Sequence, residues 1–320
     1  VEAAIKLLLG LALAALLVQQ SKELASAGAI LGVTCGSLVA LVYLLFTFSR
    51  QRERRTSNDR PDSSKRIFLS LISVAIPITI GSSVTNIVYL IDNGLILNQL
   101  QNALGMTEDA ANALYGNYGA VSSLYQLPSA LMIPFTASIL PAVAAARSRR
   151  DQRGASRVSE SAMRIGMLLA LPAGFGLTAL AGPITAMLYP GYDNNVAGGC
   201  LAWLGIASIF VCIMLVCNSV LQASGFVNLP IFIMVAGCAA KLSVNSFMVR
   251  SMGAVGAAVG TLVCYIIVAV LELLLIKRVI PAAPSYTPVF AKPMAAAGLM
   301  GVAVWALYGQ LSRLLDGRLL

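Results

Sequence analysis

Long apolar runs recur along the chain between short polar interruptions, and their length decides what they form. A bilayer core of about 30 Å needs about 20 apolar residues per helix. Nine stretches approach or exceed that length, near residues 1 to 19, 26 to 48, 67 to 98, 115 to 146, 163 to 188, 199 to 222, 229 to 249, 254 to 276 and 293 to 311. In hydrocarbon each backbone N–H and C=O must be paired within its own segment, so runs of this kind are helices. The pattern predicts an all-α, polytopic transmembrane helical bundle. Composition agrees: 58% of residues are apolar, 11% are charged and the mean hydropathy is +0.83, whereas a soluble domain carries about 25% charge.

The polar interruptions alternate in charge. Residues 49 to 66 hold seven Lys or Arg, 147 to 164 hold six, and 277 to 292 hold Lys277, Arg278 and Lys292. The connectors between them are nearly free of basic residues: 99 to 114 carries only Glu108 and Asp109, and 189 to 198 only Asp193. By the positive-inside rule the three basic segments face the cytoplasm, and nine spans run from N-in to C-out. Tyr189, Tyr192, Trp203, Trp305 and Tyr308 then fall near outer ends, where amphipathic rings prefer the headgroup level. The net charge of +9 would suggest nucleic acid in a soluble protein; here it marks topology, and no nucleic-acid partner is expected. A cysteine placed at Ser63 should stay unlabelled by an impermeant thiol reagent in intact cells; labelling there would invert the topology.

The chain has no histidine, which removes His-based proton transfer, Ser-His and Cys-His nucleophiles and His-ligated zinc. Its six cysteines sit in or beside apolar runs without a CxxC pair, as small core residues do. No metal site and no enzyme activity are expected.

An internal repeat is visible. GAILGVTCGSLVALVYLLFTFSR from Gly28 and GAAVGTLVCYIIVAVLELLLIKR from Gly256 share a Gly-Ala-x-x-Gly start, an apolar run and a basic exit. Each follows a span carrying an intramembrane Lys-Leu, Lys6-Leu7 or Lys241-Leu242. A six-helix unit keeps its orientation, so the repeat predicts two parallel lobes about an axis along the membrane normal. Residues 1–48 are then the last two helices of a truncated first lobe, 49–66 a cytoplasmic linker, 67–276 a complete six-helix lobe, and 277–320 an extra C-terminal helix. The chain opens at Val1 directly into a span, and a fragment is expected.

Polar side chains within the runs fall at helical spacing. The third run places Asn86, Tyr89 and Asp92 on one stripe, the fourth Tyr118, Ser122, Tyr125, Gln126 and Ser129, the sixth Asn218 and Gln222, and the seventh Lys241 and Asn245. Ionisable groups in hydrocarbon face protein or a water-filled cavity. Asn86, Tyr89, Asp92, Tyr118, Gln126, Asn218, Gln222, Lys241 and Asn245 are therefore candidates for lining a hydrated substrate cavity; the competing reading is hydrogen bonding from helix to helix. Glu272, close to Lys277, is expected at the cytoplasmic interface. Pro77, Pro128, Pro134, Pro141 and Pro172 are expected to interrupt their helices, and Gly28, Gly32 and Gly36 to form a close-packing ridge. No Walker A loop is present, so pumping would be driven by an ion gradient.

The runs IPITIGSSVTNIVYLID, LYQLPSALMIPFTASILPAVAAARSRRD, SAMRIGMLLALPAGFGLTALAGPITAMLYPG, KLSVN and GAVGAAVGTLVCY resemble the polysaccharide-transport and SpoVB branch of the MOP (multidrug, oligosaccharidyl-lipid, polysaccharide) exporter superfamily. The resemblance covers nearly the whole chain. It implies two six-helix bundles around a central cavity and movement of undecaprenyl-pyrophosphate-linked sugars from the inner to the outer leaflet of the cell membrane. Carried over residue by residue, it points to Asp92, Lys241 and Asn245, with Lys241 supplying charge to the pyrophosphate. Lipid II flippases of this superfamily carry an arginine shortly before the Leu-Pro, where this chain has Ser122 and Ser123; a generic lipid-linked oligosaccharide is thus the expected substrate. Membrane lipids are the other expected partners, and Na+ or H+ the only expected coupling species. Two alternatives stand beside it: a multidrug and toxin cation antiporter of the same superfamily, and a membrane-embedded glycosyltransferase or ligase acting on lipid-linked sugars.

Overall fold

The computed structural model describes residues 2–18, 22–52, 63–102, 105–279 and 286–314. Every regular element among them is a helix: α1 (Glu2–Leu17), α2 (Lys22–Arg52), α3 (Ser64–Asn102), α4 (Glu108–Leu124), α5 (Leu127–Ser148), α6 (Gln152–Ala179), α7 (Ala181–Leu188), α8 (Asn194–Ala223), α9 (Leu229–Met252), α10 (Ala254–Val279) and α11 (Tyr286–Leu314). Seven segments among the described residues are long and apolar enough to cross a membrane, α4 and α5 together counting as one, and α1 adds a shorter apolar helix. With α3 they follow the nine predicted runs in order. The chain is a multi-pass membrane protein.

Two runs are broken, and both breaks have the same cause. Proline lacks an N–H and its ring collides with the carbonyl four residues earlier. Pro128 stands four residues after Leu124, where α4 ends, and Pro183 four residues after Ala179, where α6 ends. At the first break Tyr125 (φ −68°, ψ −14°) and Gln126 (φ −81°, ψ −12°) keep right-handed helical angles, so the chain bends instead of reversing. Pro77, Pro134, Pro141 and Pro172 lie within continuous helices, where each removes one backbone hydrogen bond without ending the helix.

Loops are shorter than the charge pattern suggested. Helix α3 runs through Asn102, and α4 is capped by Thr107, whose hydroxyl accepts from Ala110 N at 3.4 Å with Glu108 and Asp109 in the first turn. Acidic groups there complement the helix dipole. On the basic side Arg150 takes a left-handed φ of 57° and Asp151 caps α6 through Gly154 N at 2.8 Å, which turns α5 into α6 within three residues. Tyr189 ties the α7–α8 turn to α4 by donating to Ala120 O at 3.2 Å.

The contacts divide the chain into two units, residues 1–68 and 69–320. In the second, α8 is central, packing against α4, α5, α6, α7 and α10. It contains no charged residue, and a helix that is apolar all round belongs in the middle of a bundle. Small residues let it approach closely. A Cβ at Gly205 would lie 2.9 Å from Thr178 N and 3.1 Å from Gly174 O, and one at Gly174 would lie 2.8 Å from Gly205 O. The core forms two apolar layers: one gathers Ile96, Tyr118, Leu201, Leu204 and Ala257, the other Met132, Met163, Leu171, Leu221 and Ile276. Five cysteines are buried within these helices, Cys35 is exposed, and all six are free thiols.

The first unit contains the α1–α2 pair, and its internal packing reproduces that of α9–α10. A Cβ on Gly28 would meet Leu13 O, seven residues beyond Lys6; one on Gly256 would meet Met248 O, seven residues beyond Lys241. A Cβ on Gly32 would strike the backbone of Gly10 and one on Gly260 the Asn245 amide, each four residues beyond its lysine. The two pairs therefore pack internally in one register.

Candidate functional site

The candidate residues separate into an enclosed set and an open set. Among the enclosed, Tyr118 of α4 is 6% exposed and its hydroxyl lies 3.1 Å from Thr261 Oγ1 of α10. Thr261 donates its single proton to Ala257 O at 3.0 Å, so Tyr118 is the donor between them. Lys241 is 5% exposed and Asn245, one turn along α9, is fully buried with its Oδ1 against Gly260. Neither is without a partner. Gln99 near the end of α3 is also buried and donates to Ser246 O at 3.4 Å. These groups join α3, α4, α9 and α10 through a buried polar seam.

The open set lies at helix bends and ends. Gln126, at the α4–α5 bend, is exposed and donates through Nε2 to Ser122 O at 3.0 Å; Ser122 donates to Tyr118 O at 2.7 Å and Ser129 to Gln126 O at 2.7 Å. Much of the polar stripe in this run thus serves backbone carbonyls around the break before Pro128. Asn218 of α8 is half-buried with Oδ1 unpaired, and Gln222, one turn on, is exposed. The backbone of Asn86, Tyr89 and Asp92 belongs to α3; their side chains lie outside the described residues.

Glu272 corrects the sequence expectation. It is 1% exposed instead of lying at the interface, its Oε2 has no hydrogen-bond partner, and it stands within electrostatic reach of Cys217 of α8. The physical reason is helical phase: Ala269, Glu272 and Ile276 share one face of α10, all at 1% exposure or less, while Lys277 and Arg278 occupy the last turn. An unmet buried acceptor costs about 1 to 3 kcal/mol. Glu272→Leu, similar in size, should therefore raise unfolding stability by about 1 kcal/mol, read by thermal unfolding in detergent; a clear loss would show that the carboxyl is held by a contact.

Gln99, Thr261 and Glu272 were missed as buried polar positions. Gln99 reads as a loop residue in sequence, and Thr261 as one hydroxyl in an apolar run. The signal that finds Thr261 is its place beside Gly260, the small residue on which Asn245 rests.

Comparison with known proteins places this arrangement. The family model described as "Lipid II flippase MurJ" matches residues 5–315. The uncharacterized membrane protein YabM of Bacillus subtilis is 27% identical over 267 residues, covering 82% of this chain and 49% of that protein. A probable lipid II flippase MurJ of Rickettsia prowazekii is 29% identical over 157 residues, 45% of this chain and 31% of that one; stage V sporulation protein B of Bacillus subtilis is 27% identical over 150 residues, 46% of this chain and 29% of that one. A solved structure titled "Lipid II flippase MurJ, inward closed conformation" superposes with a TM-score of 0.67 at 15% identity, over 96% of this chain and 60% of its own, and supports the fold. The chain spans about half the length or less of these curated relatives. A match over nearly the whole chain, with the resemblance in its Leu-Pro, Ser-x-x-Pro and Lys-Leu segments, settles the relationship: this chain belongs to the lipid II flippase MurJ family, a family of transporters and not of enzymes.

Proposed function

We propose that this chain forms part of a flippase that carries undecaprenyl-pyrophosphate-linked cell-envelope precursors from the inner to the outer leaflet of the plasma membrane. The family match over residues 5–315 carries this reading. Transport is by alternating access coupled to Na+ or H+, with the prenyl tail remaining in lipid. The exposed amides of Gln126 and Gln222 offer hydrogen bonds to sugar hydroxyls, and Asn86, Tyr89 and Asp92 of α3 are further candidates. Lys241 and Asn245 act from within the lobe, holding α9 to its neighbours while the headgroup passes.

The test is complementation in cells depleted of their own precursor flippase, using the full-length protein. Precursor reaching the outer leaflet is measured by its accessibility to an impermeant hydrolase. Restored accessibility is expected. Correct insertion without restoration, accompanied by export of a cationic dye, would replace this reading with the cation antiporter.

A further inference from the structure

We propose that the groove between α5 and α6 binds a bilayer phospholipid with an anionic headgroup, its phosphate on Arg157 and an acyl chain along the groove floor. The groove has a volume of about 310 Å³. Its apolar surface comes from Phe135, Ile139 and Ala142 of α5 and from Ala162 and Ile165 of α6. Ile139 and Ala162 are 4% exposed and form the floor. The helices run antiparallel here, so Ala142 lies level with Arg157 and Phe135 level with Ile165. At about 1.5 Å per residue, about 12 Å of helix axis separates the level of Arg157 from that of Ile165, the length of an acyl segment.

Charge selects the occupant. Arg157 is exposed at the mouth and has no acidic partner among the described residues. The two nearby acids are committed elsewhere: Glu160 pairs with Arg164 at 3.3 Å, and Asp151 caps Gly154 N at 2.8 Å. The same end of the helix pair carries Arg147, Arg149, Arg150 and Arg153, and Arg147 Nη1 is buried without an acceptor. A phosphate meets a guanidinium in a bidentate fork. Ser161 adds a hydroxyl at the groove wall, as does Ser138, whose proton is spent on Phe135 O at 2.7 Å. Basic pockets between helices on the cytoplasmic side bind anionic headgroups, and the apolar floor distinguishes a lipid from free phosphate. The groove lining shares no residue with the set proposed to meet the transported headgroup.

Native mass spectrometry of the full-length protein, delipidated and titrated with phosphatidylglycerol or with phosphatidylcholine of the same chains, tests it. Wild type should retain phosphatidylglycerol in preference. Arg157→Gln should weaken that preference about fivefold, the worth of one cation at an anionic surface. Ser161→Leu, which fills the groove, should reduce binding of both lipids, while Arg250→Gln, away from the groove, should change neither. Equal binding of the two lipids by wild type would overturn the proposal. So would an unchanged preference in Arg157→Gln, undiminished binding in Ser161→Leu, or displacement of the lipid by soluble glycerol phosphate. If Arg157→Gln fails to fold, the Ser161→Leu comparison decides alone.

Discussion

Lys241→Met should lower the unfolding stability of the protein by about 3 to 5 kcal/mol and abolish transport with it. The magnitude follows from enclosure. Lys241 is 5% exposed and is not without a partner, and removing a buried charged group leaves whatever met it unmatched in a low-dielectric interior. A lysine that met the substrate headgroup in an open, hydrated cavity would behave differently, since its loss would stop transport and leave stability near wild type. Thermal unfolding measured beside transport separates the two. Lys241→Arg adds a discriminating result: the enclosed site has little room for the longer guanidinium, so Arg should also destabilise, whereas an open headgroup site would tolerate it. A Met variant that is stable but inactive would return Lys241 to the cavity.

Gly205→Val should strongly destabilise the crossing of α6 and α8. The added Cβ would stand 2.9 Å from Thr178 N and 3.1 Å from Gly174 O, and backbone cannot move aside by changing a rotamer. Overpacking of this kind costs about 1 to 3 kcal/mol, and contact with backbone on the facing helix puts it at the upper end. The Thr178 hydroxyl bond to Ala202 O, 3.1 Å across the same crossing, would be lost as well. The readout is the fraction of protein that remains monodisperse after detergent extraction, with thermal unfolding of that fraction. Gly176→Val is the control, because a Cβ there meets nothing within 4 Å. Equal behaviour of the two variants would show that α6 and α8 separate without cost.

The polar residues show where sequence reasoning stops. Spacing placed Tyr118, Gln126, Lys241 and Asn245 on polar faces, but a polar face within a membrane helix can turn to water, to another helix or to its own backbone. Tyr118 found Thr261, Gln126 found Ser122 O, and Asn245 found the gap at Gly260. Each partner lies on a helix end or a second helix whose rotation is set by packing. The proline pattern has a similar limit. Prolines are visible in sequence, yet Pro128 and Pro183 accompany breaks within predicted runs while Pro134, Pro141 and Pro172 lie inside continuous helices.

The sequence by itself determined the class of the protein, the order of its spans and the register of its internal repeat. Each of these rests on a property that a segment carries alone. Run length must match the bilayer, buried backbone must be paired within its helix, and Gly-Ala-x-x-Gly with its preceding Lys-Leu marks equivalent contacts, Gly32 on Gly10 and Gly260 on Asn245. Tertiary structure alone decided which polar groups are enclosed, that Glu272 lies inside and not at the interface, and that α5 and α6 leave a groove beside Arg157. Those features depend on the rotation of each helix about its axis. A shift of one residue turns a side chain by about 100°, and only the close packing of several helices at once selects among such rotations.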